Sequence, residues 1–83
     1  MHEVAWVRAL VRTVTSQASQ EGARRVVGVT VRVGSLSGLS PAHVRAYFVE
    51  GVRGTIADGA SLMILDDGLN SSEVMVESIE VDE

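Results

Sequence analysis

Hydrophobic positions fall into two repeating patterns along the chain, and each pattern names an element. Val4, Val7, Val11, Val14 and Ala18 recur at steps of three and four, with Leu10 beside them. That spacing lays one apolar stripe along a helix over about residues 4–20. Glu21-Gly22 should end it, since glycine readily takes the left-handed conformation of a C-terminal cap. Val27, Val29, Val31 and Val33 then alternate with Gly28, Thr30 and Arg32. A strict period of two in β-branched residues predicts a strand over about 25–33 with one buried face.

Residues 34–40 read as a loop feeding a second helix, with Ser40 as N-cap and Pro41 in the first helical position. Val44, Phe48 and Val52 form the apolar side of this helix, and Gly51 and Gly54 close it. After turn material at 55–59, Leu62 and Ile64 mark a short strand at about 60–65, and Asp66 to Ser72 form a polar turn into a last strand at about 73–82. In that strand Val74 and Val76 share one face by the rule of two, while Ile79 and Val81 fall on the other. Two helices and three strands cannot cover both faces of a sheet, so a β-bulge near Glu77-Ser78 is expected to bring all four inward. The predicted fold class is α/β, a mixed three-stranded sheet with two helices packed on one face, in the order helix, strand, helix, strand, strand. The last two strands are expected to meet as a hairpin through residues 66–72.

Eighty-three residues make a single domain over 1–83, of marginal size, for which a metal or an oligomer is a natural supplement. The chain has no cysteine, which excludes disulfides, thiol catalysis and Cys-based zinc or iron-sulfur sites. No apolar run reaches the ~18 residues of a membrane span, and the first ten residues lack the features of a signal peptide. The expectation is a cytoplasmic protein with an intact N-terminus and no membrane partner.

Net charge is −4, unevenly distributed. All seven basic residues are arginines at or before Arg53, where Glu3, Glu21 and Glu50 oppose them, so the segment carries +4; the eight acidic residues beyond it carry −8. The two halves are expected to neutralise each other in the fold. Three aromatics, Trp6, Tyr47 and Phe48, are too few for a stacking platform on a basic face, which argues against nucleic acid.

Candidate chemistry is sparse. Ser35, Ser37 and Ser40 have one nearby base, His43, but no evident oxyanion site, and Ser40 is better used as a cap. The glycines at 34 and 38 fit neither a dinucleotide loop nor a P-loop. His43 reads as a solvated first-turn side chain, Asp66-Asp67 as a solvated pair short of a full oxygen shell, and Trp6 as edge packing. The N-terminus offers more: the Met1 α-amine, the intervening amide nitrogen and the His2 imidazole can close adjacent chelate rings on one metal. Nitrogen-rich, near-planar coordination suits Ni(II) or Cu(II), and Glu3 can add an oxygen or orient the imidazole. A surface histidine without a metal is the plain alternative.

These same residues carry a resemblance to the HypA nickel-insertion accessory proteins of NiFe-hydrogenase and urease maturation. The likeness begins at Met1-His2-Glu3, runs through residues 22–26, the valine strand ending in 33–38, and residues 53–60, and returns at 77–81. It implies a nickel domain with two helices on a three-stranded sheet, Ni2+ held by Met1, His2 and Glu3, no enzymatic activity, and delivery through a nickel-handling GTPase to a hydrogenase or urease apoprotein. Arg8 and Arg12, one turn apart on the first helix, are the nominated partner contacts, with solvated flank residues as the alternative. Where the family carries a zinc domain with two CxxC pairs, this chain has only residues 66–72. A module at a hairpin tip can be removed while the flanking strands still pair. A protein interaction module that keeps the fold without metal delivery is the competing reading.

Overall fold

The computed structural model describes residues 2–66 and 72–82, with side chains from Ala5 onward. Helix α1 spans His2–Gln20, strand β1 Arg25–Val33, helix α2 Pro41–Gly51, strand β2 Ser61–Asp66 and strand β3 Val74–Asp82. The fold is the α/β arrangement expected from the sequence, in the expected order. α1 ends in a Schellman motif: the Gly22 amide donates to the Ser19 carbonyl and the Ala23 amide to the Ala18 carbonyl, both at 3.0 Å. Gly22 takes φ +71° to close it, which is why glycine stands there. At the start of α2 the Ser40 hydroxyl accepts from the His43 amide at 3.2 Å, and Pro41 follows it directly. Its lack of an N–H leaves nothing unsatisfied in the first turn.

The sheet order is β2-β1-β3, with β1 parallel to β2 and antiparallel to β3. This corrects the expected hairpin. β2 and β3 do not pair with each other; they lie on opposite sides of β1, and Asp66 and Val74 both stand in register with Val33. β2 thus ends, and β3 begins, at the same end of β1. Periodicity identifies strands without naming their neighbours, and a short polar connector reads as a hairpin turn by default.

The bulge expected in β3 is present. Val31 pairs with Val76 but Thr30 with Ser78, so Glu77 is the extra residue. A second bulge, at Val27 of β1, was not evident in the sequence: Val26 pairs with Val81 and Gly28 with Glu80. It moves Val27 off the buried face, leaving it 47% exposed, and puts Val26 there at 0%. The inner face of β1 is thus Val26, Val29, Val31 and Val33, and Val74, Val76, Ile79 and Val81 pack against the same core. Val14, Ala18, Val44, Phe48 and Val52 cover it from the helices.

The helices cross closely at Gly51, where an added Cβ would lie 3.1 Å from the Val7 side chain and 3.2 Å from Val11. On the far side of the sheet Arg32 pairs with Glu77 at 2.9 Å, tying the basic segment to the acidic one. Two other arginines use carbonyl groups instead: Arg25 donates to Asp58 at 2.9 Å and Arg45 to Leu62 at 3.0 Å. The Arg32–Glu77 pair is thus one direct tie between the two halves. The Met63 and Met75 side chains, 60% and 52% exposed, lie on this uncovered face.

Two outcomes follow. Gly51→Leu should lower stability by about 1–3 kcal/mol through overpacking of the crossing, read by urea denaturation, and Val11→Ala in the same chain should recover part of the loss. The Glu77 carboxyl is held below the usual carboxylate range by the Arg32 hydrogen bond and then by its charge. Its contribution to stability is present above the ordinary carboxylate range and disappears as pH falls through the lowered value. An NMR titration should find the Glu77 midpoint low and should find it returned to the ordinary range in Arg32→Gln; an unchanged midpoint would contradict the pairing.

Candidate metal centre

Helix α1 begins at His2, so the amides of residues at its start have no partner within the helix. The sequence places Met1, His2 and Glu3 here; Met1 and the side chains of His2 and Glu3 lie outside the described residues.

Trp6 follows one turn after His2. It is half-buried, with its ring edge-on to Tyr47 at a centroid distance of 6.1 Å and an interplanar angle of 80°. Its Nε1 is buried and has no hydrogen-bond partner among the described residues. With Ser37, Gly38 and Leu39 on one side and Ser72 to Val74 on the other, Trp6 lines a cleft of ≈500 Å³. The start of α1, the loop after β1 and the entry to β3 therefore converge at one end of the molecule. This proximity was hidden in the sequence, where Trp6 and Val74 are far apart. The strand order creates it by bringing β3 back beside the end of β1.

Other candidates are placed apart. His43 is exposed in the first turn of α2, and its main-chain amide, not its imidazole, meets Ser40. Ser37 uses its hydroxyl to accept from the Leu39 amide at 3.2 Å. Asp66 lies at the end of β2, and Asp67 lies outside the described residues. Among the described residues, no three of His, Cys, Asp and Glu come together as a metal-binding group. Arg8 and Arg12 are exposed along α1. No helix among the described residues is long and apolar enough to cross a membrane.

Comparison with known proteins gives this geometry a context. A family described as "Hydrogenase/urease nickel incorporation, metallochaperone, hypA" matches residues 1–72. A "Hydrogenase maturation factor HypA" from Chlorobaculum parvum is 39% identical over 64 residues, covering 77% of this chain and 57% of that protein. A protein of the same description from Pyrococcus furiosus is 42% identical over 67 residues, covering 81% and 48%. The chain thus spans about half the length of these curated relatives. The solution structure of the Ni metallochaperone HypA from Helicobacter pylori superposes with a TM-score of 0.72 over 96% of this chain and 97% of that one, at 15% identity, and so shares the fold. With its sequence matched from Met1 into the entry to β3 and its two-helix, three-strand architecture reproduced, the chain belongs to the HypA family.

Proposed function

We propose that this chain is a nickel-binding accessory domain, metallochaperone-like and non-enzymatic, that serves NiFe-hydrogenase or urease maturation in the cytoplasm without a zinc module between β2 and β3. The observation that carries this reading is the start of α1 at His2 in a chain of this family. Amides that have no helical acceptor can lose a proton to a metal without breaking the helix ladder. The Met1 amine, the amide that follows it and the His2 imidazole then form fused chelate rings around Ni2+, and Glu3 supplies a carboxylate. The absence of cysteine from the chain leaves nitrogen and oxygen donors for this task.

Nickel is cargo in this scheme, taken up and passed on. Arg8 and Arg12, exposed on the same helix as the ligands, offer two cationic contacts to an acidic surface of a nickel-handling GTPase. The recipient beyond it is a hydrogenase or urease apoprotein. Since copper binds such donors more tightly than nickel, selectivity rests on supply and partners.

Replacing the ligand tests the reading directly. His2→Ala should weaken nickel binding by at least about tenfold, or 1.4 kcal/mol, with the fold unchanged. Calorimetry supplies the affinity, and quenching of Trp6, the single tryptophan, supplies an independent signal. Equal binding by wild type and His2→Ala would instead favour an interaction module with incidental metal affinity.

Protons compete for the same atoms. With ordinary values of about 7.7–8.0 for the amine and about 6.5 for the imidazole, nickel affinity should fall steeply between pH 8 and pH 6. A flat profile would exclude this donor set. A few residues added before Met1 convert the amine into a peptide nitrogen and should abolish tight binding, whereas a tag after Glu83 should leave it intact. Side-by-side titration of the two forms, with circular dichroism to establish equal folding, distinguishes an N-terminal chelate from any site elsewhere.

A further inference from the structure

Trp6, the single tryptophan, stands in the second turn of α1 with one of its hydrogen-bonding groups unmet. Its Nε1 is buried, and no acceptor reaches it among the described residues. A buried N–H that has lost water without gaining a partner is costly, and such groups are few in native folds. Packing alone does not call for it, since a phenylalanine fills the edge of a core without a donor to satisfy. The ring is also fixed. Tyr47 meets it edge-on at 6.1 Å and 80°, and Leu39 and Val74 line the same cleft. The donor is therefore both unpaired and held in one place.

Helix geometry decides what lies next to it. Positions three and four apart on a helix are neighbours, about 5–6 Å between Cβ atoms. A long helical side chain leans toward the N-terminus, over the turn that precedes its own Cα. For Trp6 the preceding turn holds positions 2 and 3, at the very start of α1. Around the rest of the cleft, the Ser37 hydroxyl accepts from the Leu39 amide at 3.2 Å and the Glu73 carbonyl from the Gly34 amide at 2.8 Å. Those oxygens serve the loop and the sheet.

We infer that Trp6 is a positioning residue for nickel: its Nε1–H donates to the Glu3 carboxylate when that group takes the metal, and so holds the ligand in place. The inference rests on the N-terminal chelate proposed above and assigns it an outer partner. An ionised carboxylate has acceptor capacity beyond a single metal bond, and ligating carboxylates are themselves hydrogen-bonded from outside. A donor fixed beforehand suits this task, because the carboxylate then finds it already oriented. Forming the missing bond on binding also adds to affinity, since the loaded protein relieves a group that the metal-free protein leaves unpaired.

A chain of 83 residues can be made by chemical synthesis, so the N–H can be removed by itself. Benzothienylalanine in place of Trp6 keeps the two-ring shape and puts sulfur where the N–H stood. Calorimetric titration with Ni2+ should show affinity lowered at least about tenfold, as for other lost partners of metal ligands, with the metal-free urea midpoint unchanged or raised. In a Glu3→Ala background the same replacement should have no further effect, the non-additivity of two groups that share one interaction. Undiminished affinity with benzothienylalanine would overturn the inference. So would an equal loss with and without Glu3, which would put the acceptor elsewhere, and so would a midpoint that falls together with the affinity, which would assign the loss to packing. His2→Ala, titrated alongside, separates this inference from the one it rests on. Binding that depends on His2 but not on the indole N–H removes Trp6 alone; binding that depends on neither removes the N-terminal chelate and Trp6 together.

Discussion

Everything in this molecule is laid against the inner valines of β1. Val26, Val29 and Val31 are buried at the centre of the core, with a strand on either side and both helices above. Removal of these side chains from water is the main favourable contribution available to so short a chain, since hydrophobic stabilisation scales with apolar area buried. The bulges follow from that constraint. A strand paired in strict alternation would turn either the first or the second half of β3 away from the helices, and one extra residue at Glu77 brings both halves to the same face. At Val27 the same device works in β1, so that Val26 reaches the core as well.

Much of this was legible in the residues. The valine alternation marked β1, Ser40 and Pro41 marked the entry to α2, and the parity conflict between Val74, Val76 and Ile79, Val81 located the bulge in β3. What escaped were relations between elements. The bulge at Val27 is silent because Val26 and Val27 are the same residue type, so no mismatch of polarity marks which one turns inward. The separation of β2 from β3 is equally silent, because a turn composition at 66–72 looks alike whether the chain turns back or crosses over.

The proposed metal ligands Met1, His2 and Glu3 are named by the sequence alone, because an α-amine next to a histidine needs no tertiary structure to form a chelate. Their surroundings could not be read this way. The Trp6 cleft exists because the sheet order carries β3 back beside the end of β1, close to the first turns of α1.

The strand order also determines how the fold tolerates changes in chain length. Asp66 and Val74 leave and re-enter the sheet on opposite flanks of Val33, two strand spacings or roughly 10 Å apart. Three extended residues would suffice to bridge that gap, at about 3.3 Å each. Neither flanking strand relies on the other for its hydrogen bonds, because each takes them from β1. Closing a longer excursion between fixed ends adds only about 0.6 kcal/mol for each doubling of its length. The position thus works as a socket with two fixed contacts, where a segment can be long or short without altering the sheet. The two fixed contacts stand on either side of the terminus of the central strand.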